Sequence, residues 1–124
     1  MALADILGAH RNEAGIVTAI AVLQQRFGEK LKTSQALREQ HAHTTTYLTP
    51  QLPDAVLFAT HEGDVREAVR ICATHKVPVI AYGTGTSLEG NVNAPEGGLC
   101  IDLMGMNAIL EVNAGDLDVT VQPG

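Results

Sequence analysis

The sequence predicts an α+β fold in which N-terminal helices precede a small β-α-β subdomain and further strands. Three patterns indicate this class: apolar residues at helical spacing before residue 28, short apolar runs flanking an amphipathic segment within residues 55–81, and β-rich segments after residue 98. Apolar residues make up 45% of the 124 residues and aromatic residues only 3%, which favours a single aliphatic core.

Two helices and a loop are predicted in residues 1–52. Apolar residues spaced three and four apart predict a helix over 14–27, which Gly28 ends. Ser34 is a candidate N-cap of a second helix, over 34–41. The consecutive threonines and the two prolines that follow predict a loop.

A β-α-β unit is predicted next, with strands over 55–59 and 77–81 around a helix over 64–75. Its two strands should run parallel with a right-handed crossover. The predicted buried stripe of the helix consists of Val65, Ala68, Val69 and Cys72.

Three more strands are predicted after this unit, over 98–103, 108–112 and 117–121, with a turn at 113–116. The chain stops directly after the last strand, at Gly124. We therefore expect an interrupted domain.

Composition excludes several classes of partner and location. The formal net charge of −6 argues against a nucleic-acid partner, which would favour a basic surface. Cys72 and Cys100 are the only cysteines, and the N-terminus lacks the basic and apolar regions of a signal peptide, so a reducing cytoplasmic location is expected. No apolar run of about 18 residues occurs, so no transmembrane segment is expected.

Segment 77–91, VPVIAYGTGTSLEGN, carries the clearest functional signal. A buried strand opens into a loop where glycines alternate with hydroxyl side chains, namely Gly83, Thr84, Gly85, Thr86, Ser87 and Gly90. Glycines let a ligand approach backbone N–H groups, and hydroxyls add short donors, so the loop suits a pyrophosphate held without lysine. The spacing is neither that of a P-loop nor G-x-G-x-x-G, because Leu88 stands where a third glycine would fall.

Other polar residues have two interpretations each. Tyr82 either stacks on a ligand or is a half-buried aromatic residue at a strand end, and the sequence does not separate the two. His41 and His43 would share one face of an extended segment, as a metal pair does, but no carboxylate or cysteine lies beside them, and a polar loop is preferred. A pyrophosphate would repel Glu89, which is expected to accept a hydrogen bond that holds the loop.

No catalytic or metal-binding residue is assigned. Cys72 lies one helical turn before His75 but belongs to the apolar stripe, so it is predicted to be a small buried residue, as is Cys100 in its strand. Asp64 and Asp102 have no second carboxylate placed to perturb them, and a structural role is expected for each.

Four segments of the chain have a recognisable order and spacing. They are PDAVLFATHEGDVREAVRICATHKVPVIAYGTGTSLEG, then GGLCIDLMGMNAILEVN, then DLDVTVQPG, and, as a weaker match before them, LREQHAHTTTYLTP. From residue 53 onward this pattern resembles the first half of the flavin domain of the FAD-linked oxidases related to vanillyl-alcohol oxidase. It is most similar to the branch that contains the cytochrome-linked D-lactate dehydrogenases and the glycolate oxidase flavin subunit.

The resemblance implies that residues 53–124 are the first half of a two-part FAD-binding domain, preceded by a helical segment and loop over 1–52. It places the FAD pyrophosphate on the glycine loop. The implied cofactor-binding residues are Ala81, Tyr82, Gly83, Thr84, Gly85, Thr86, Ser87, Leu88 and Gly90. Thr86 stands where some relatives have a histidine bonded to the flavin, so non-covalent FAD is implied.

The implied activity is oxidation of a small D-2-hydroxy acid, D-lactate above all, with electrons passed to a cytochrome or quinone. The protein would then lie in the cytoplasm or at the surface of the respiratory membrane. Family members are far longer, and their substrate-binding and catalytic residues have no counterpart in this sequence, so an N-terminal fragment is expected. The alternative is a non-catalytic half-domain without activity of its own.

Overall fold

The computed structural model describes residues 10–124, and its architecture is α+β, as predicted. Its helices are α1 (Glu13–Phe27), α2 (Gln35–Gln40) and α3 (Glu62–Thr74), with a 3₁₀ turn at Gly28–Lys30. Its strands are β1 (Leu31–Lys32), β2 (Ala55–Phe58), β3 (Val79–Tyr82), β4 (Leu99–Asp102), β5 (Ile109–Asn113) and β6 (Asp118–Val121). Within this described part, no helix has the length and apolar character needed to cross a membrane.

A four-stranded sheet in the order β1-β2-β4-β3 forms the centre of the molecule. β4 lies parallel to both β2 and β3, so the strands of the β-α-β unit run parallel, as predicted, although β4 separates them. β1, which the sequence analysis did not predict, pairs antiparallel with β2. At the carboxyl edge of the parallel strands, Phe58 and Tyr82 both lie in register with Asp102. Ligands of open α/β sheets bind at such edges.

Helices α1 and α3 contact each other and share one hydrophobic core with the sheet. One stripe position in α3 was predicted wrongly, since Val69 is 43% exposed. Ile71 packs against the core instead, because it follows Ala68 by one turn on the side that faces α1 and the sheet. The buried residues of the two helices are Ile16, Ala19, Leu23, Asp64, Ala68 and Cys72.

Helix α3 begins at Glu62 rather than Asp64, because His61 caps it by accepting a hydrogen bond from the Asp64 N–H at 3.3 Å. The Asp64 side chain is consequently buried in the first turn. It accepts hydrogen bonds from Lys30 Nζ at 2.8 Å and from the Thr60 backbone N–H at 3.0 Å. Burial by itself would raise the pKa of Asp64, but the hydrogen bonds from Lys30 and Thr60 outweigh it and lower the pKa to about 2.

Asp64→Asn should lower the free energy of unfolding at pH 7 by about 1–2 kcal/mol, because Lys30 and Thr60 lose a charged acceptor. An aspartate in an unfolded chain has a pKa of about 3.9. The stabilisation from Asp64 is therefore complete above about pH 4 and is lost as the pH falls through the folded pKa of about 2. Urea unfolding at several pH values measures this loss, with the exposed Glu62→Gln as control. Superimposable curves for Asp64→Asn and wild type would contradict the assignment.

Strands β5 and β6 form a separate antiparallel pair that is not hydrogen-bonded to the central sheet. Leu117, in the turn between them, has a φ of +57°. The apolar side chains of this hairpin are largely exposed, among them Val112 at 68% and Leu117 at 92%. The hairpin thus contributes little to the core that supports the sheet edge.

Candidate functional site

The glycine loop leaves the carboxyl edge of the sheet directly after β3. The strand includes Tyr82 and does not stop at Ala81, because the Tyr82 carbonyl accepts a hydrogen bond from the Leu103 N–H at 2.8 Å. Ala81 and Tyr82, two of the predicted cofactor-binding residues, therefore belong to the strand. The loop itself begins at Gly83, and its position is set by the pairing of β3 with β4.

The backbone of the loop offers a run of hydrogen-bond donors. Within residues 10–124, the N–H groups of residues 83–88 donate to no backbone or side-chain acceptor. The next N–H group, that of Glu89, donates to Ser87 Oγ at 3.4 Å. Consecutive free N–H groups make an electropositive surface of the kind that binds phosphate oxygens. This donor set fits a pyrophosphate.

A cavity of about 280 Å³ lies along the loop. The Thr84 and Thr86 hydroxyl oxygens are 3.1 Å apart on its exposed rim, where each can also turn towards a ligand. The Ser87 hydroxyl is used within the loop, since it donates to Asn91 Oδ1 at 3.2 Å. The cavity is lined by Ala81, Gly83, Thr84, Gly85, Thr86, Ser87, Asn91 and Val92.

Gly83 and Gly85 are needed for different reasons. Gly85 has a φ of +72°, and a β-carbon there would stand 2.5 Å from Tyr82 Oη. A β-carbon on Gly83 would meet only the Pro123 carbonyl, at 3.8 Å, so a side chain there would occupy open space. Gly85 shapes the loop, whereas Gly83 leaves the loop surface accessible to a ligand.

The segment before β2 holds the far end of the glycine loop. Gly90 has a φ of +80°, and a β-carbon there would lie 2.6 Å from Leu48 Cδ1. The Asn93 side chain accepts a hydrogen bond from the Gln51 N–H at 3.0 Å and donates one to the Thr49 carbonyl at 3.2 Å. No local sequence pattern predicts this contact between the two loops.

Three residues near the end of the loop do not have the position or the contacts that the sequence predicted. Leu88, which is 72% exposed, and Gly90 are not among the residues that line the cavity. The Glu89 carboxylate accepts no hydrogen bond from any group in the described part of the chain. Its predicted role as an acceptor is wrong, because the backbone N–H of Glu89 makes the local hydrogen bond instead.

A buried histidine–aspartate pair lies beside the loop. His41 is 2% exposed and Asp102 is 4% exposed. His41 Nε2 is 2.9 Å from Asp102 Oδ2, and His41 Nδ1 is 2.8 Å from the Leu37 carbonyl oxygen. Because a carbonyl oxygen only accepts, Nδ1 is the ring nitrogen that donates to Leu37, and Nε2 faces the carboxyl group. Each side chain of the pair therefore provides the other with a hydrogen-bond partner in the interior.

The structure corrects the interpretation of His41 as part of a polar loop. His41 is the C-cap residue of α2 and lies over the sheet edge, next to a cavity of about 320 Å³ that Phe58 and Tyr82 also line. One sequence signal could have found the pair: Asp102 ends an otherwise apolar strand, and a buried acid requires a partner. His43 is exposed, so the two histidines do not form a metal pair. Residues 10–124 contain no cluster of three or more metal-ligating side chains.

The two cysteines are buried, as predicted. Cys72 and Cys100 are each 0% exposed and are not joined in a disulfide. Burial raises the pKa of the Cys72 thiol to about 11 and that of Cys100 to about 12. Both thiols are therefore protonated near neutral pH and behave as small apolar side chains.

Residues 53–124 match the sequence model of the family described as FAD binding domain. A protein of Danio rerio named probable D-lactate dehydrogenase, mitochondrial, is 38% identical over 96 residues, which are 77% of this chain and 19% of that protein. The cytochrome-type D-lactate dehydrogenase of Arabidopsis thaliana is 41% identical over 73 residues, which are 59% of this chain and 13% of that protein. This chain thus spans less than a fifth of the length of these two relatives.

The fold is also found among solved structures. An alkyldihydroxyacetonephosphate synthase superimposes with a TM-score of 0.73 over 86% of this chain and 24% of that one, at 20% sequence identity. A likeness at this identity shows a shared fold and carries no information on substrate.

Proposed function

The chain belongs to the family of FAD-binding domains, and on that premise we propose that it supplies the pyrophosphate-binding part of an FAD-dependent dehydrogenase of small D-2-hydroxy acids. FAD supplies the redox chemistry when bound. The residues of this chain supply the surface that holds it, and they include no group to which a catalytic role is assigned.

One observation carries the binding proposal: the run of free N–H groups over residues 83–88, which ends a parallel strand and borders an open cavity. The N–H groups would hold the pyrophosphate, and the Thr84 and Thr86 hydroxyls would add donors at its side. Among residues 10–124, no positive side chain lines this cavity, so the backbone would carry the recognition of charge. We propose non-covalent binding, because the loop over 83–90 contains neither histidine nor cysteine.

The proposed substrate is D-lactate, because both curated relatives are named D-lactate dehydrogenases. The proposed electron acceptor is a cytochrome, as in the name of the Arabidopsis thaliana relative, and a quinone is the alternative acceptor. Residues that would select the substrate are not identified within this chain.

Anaerobic absorption spectra test the proposed activity. The protein isolated with its cofactor from its own cells should lose the flavin absorption at about 450 nm when D-lactate is added, and L-lactate should have a much smaller effect. Adding oxidised cytochrome c should restore the absorption. If D-lactate, L-lactate and glycolate all leave the flavin oxidised, the dehydrogenase proposal fails, and the alternative, an FAD-holding half-domain without activity of its own, is supported.

A further inference from the structure

Tyr82 lies between the buried histidine–aspartate pair and the glycine loop. Its ring centroid is 4.5 Å from that of His41, with an interplanar angle of 50°. Tyr82 Oη lies 2.5 Å from the position that a β-carbon of Gly85 would occupy. The phenol therefore has the imidazole and the backbone of the loop as neighbours.

The His41 ring is itself held firmly in place. Both of its nitrogens are hydrogen-bonded, to the Asp102 carboxyl group and to the Leu37 carbonyl, so the ring cannot turn without losing one of these buried contacts. Phe58 packs edge-on against it, with ring centroids 5.6 Å apart and an interplanar angle of 84°. His41 thus offers a fixed surface to the Tyr82 ring.

We propose that His41 is a positioning residue for the flavin-binding loop, and that it acts through Tyr82. Asp102 is hydrogen-bonded to His41, the His41 ring packs on the Tyr82 ring, and the Tyr82 hydroxyl lies beside Gly85, 2.5 Å from the place of a β-carbon there. A ring held in this place would keep the backbone around Gly85, which has a φ of +72°, in one position and so preorganise the loop N–H groups before a ligand arrives. The inference rests on the proposed function because it assumes that this loop binds FAD.

His41→Gln separates positioning from stability. The glutamine amide can still donate a hydrogen bond towards Asp102, but it has no ring to place against Tyr82. In NMR spectra of the ligand-free chain we expect shifted Tyr82 ring and Gly85 amide signals. FAD affinity should fall roughly fivefold or more. The melting temperature should fall less than in Asp102→Ala, because the hydrogen bond to Asp102 is retained. His43→Gln, at the exposed histidine nearby, should change none of these.

Tyr82→Phe provides a second variant in case His41→Gln does not fold. It removes the hydroxyl that lies over Gly85 and keeps the ring against His41, so the Gly85 amide signal should again shift and FAD affinity should fall. Unchanged Gly85 signals and FAD affinity in folded His41→Gln, or in Tyr82→Phe, would overturn the inference. Wild-type loop amides that do not respond to FAD would instead overturn the proposed function, while the ligand-free signals still decide whether His41 orients Tyr82.

Discussion

Gly83→Val should weaken FAD binding by roughly 100-fold, about 3 kcal/mol, while leaving the fold intact. A β-carbon at this position has only the Pro123 carbonyl oxygen within 4 Å, at 3.8 Å, and Gly83 does not have a positive φ, so little strain is expected. It would, however, stand on the surface of the loop and keep a pyrophosphate away from the backbone N–H groups. Titration with FAD, followed by flavin fluorescence or NMR, measures the loss, and thermal unfolding checks the fold.

Gly115→Val is the matched control for this variant. A β-carbon on Gly115, in the turn of the exposed hairpin, has no atom within 4 Å, so the same change there should leave both FAD binding and stability unaltered. Gly85→Val differs from both, because its positive φ and the nearby Tyr82 hydroxyl should also lower stability by about 1–3 kcal/mol. FAD binding by Gly83→Val at wild-type strength would show that the loop is not the cofactor site.

Asp102→Ala should lower the free energy of unfolding by about 3–5 kcal/mol, because it leaves the buried His41 ring without its partner. The Met104 N–H, which donates to Asp102 Oδ1 at 2.8 Å, loses its acceptor as well. Urea unfolding measures the difference, and Asp116→Ala, at an exposed aspartate in the hairpin turn, should change stability by less than about 0.5 kcal/mol.

A double substitution distinguishes an unpaired buried polar group from simple loss of packing. In His41→Leu/Asp102→Leu neither side chain of the pair is left without the other, although the Met104 N–H still lacks its acceptor, so part of the stability lost in Asp102→Ala should return. The double variant should nevertheless lose the orientation of Tyr82, because the imidazole is absent. Equal instability of the single and double variants would show that the pair stabilises the fold by shape alone.

Local patterns were enough to predict the elements that form from neighbouring residues. The apolar spacing of α1 identified both the helix and its buried face, and Gly28, with a φ of +53°, follows its last residue. The glycine loop was located correctly after a strand, since its backbone conformation depends on its own glycines. That strand was wrongly predicted to be buried, because β3 lies at the edge of the sheet and Val79 is 39% exposed. The end of β3 was placed too early because Leu103, whose N–H donates to the Tyr82 carbonyl, is distant in sequence.

The remaining features depend on contacts between distant segments. β1 is a strand only because β2 lies beside it. A segment of two residues is too short to show the alternation of apolar and polar side chains that predicts a strand. His41 became a buried partner of Asp102 through the packing of α2 over the sheet edge, whereas its threonine-rich neighbours suggested a polar loop. The contact from Asn93 to Thr49 and Gln51 likewise joins segments that no local pattern relates.

The central claim is that the loop after β3 binds FAD through its backbone, and a ¹H–¹⁵N NMR titration of the chain with FAD tests it most directly. This measurement detects binding over a wide range of affinities, down to the millimolar range. The account predicts shift changes centred on the amides of residues 83–88, reproduced by ADP and absent in Gly83→Val. Unchanged loop amides at saturating FAD, or changes confined to another surface such as α3, would contradict it.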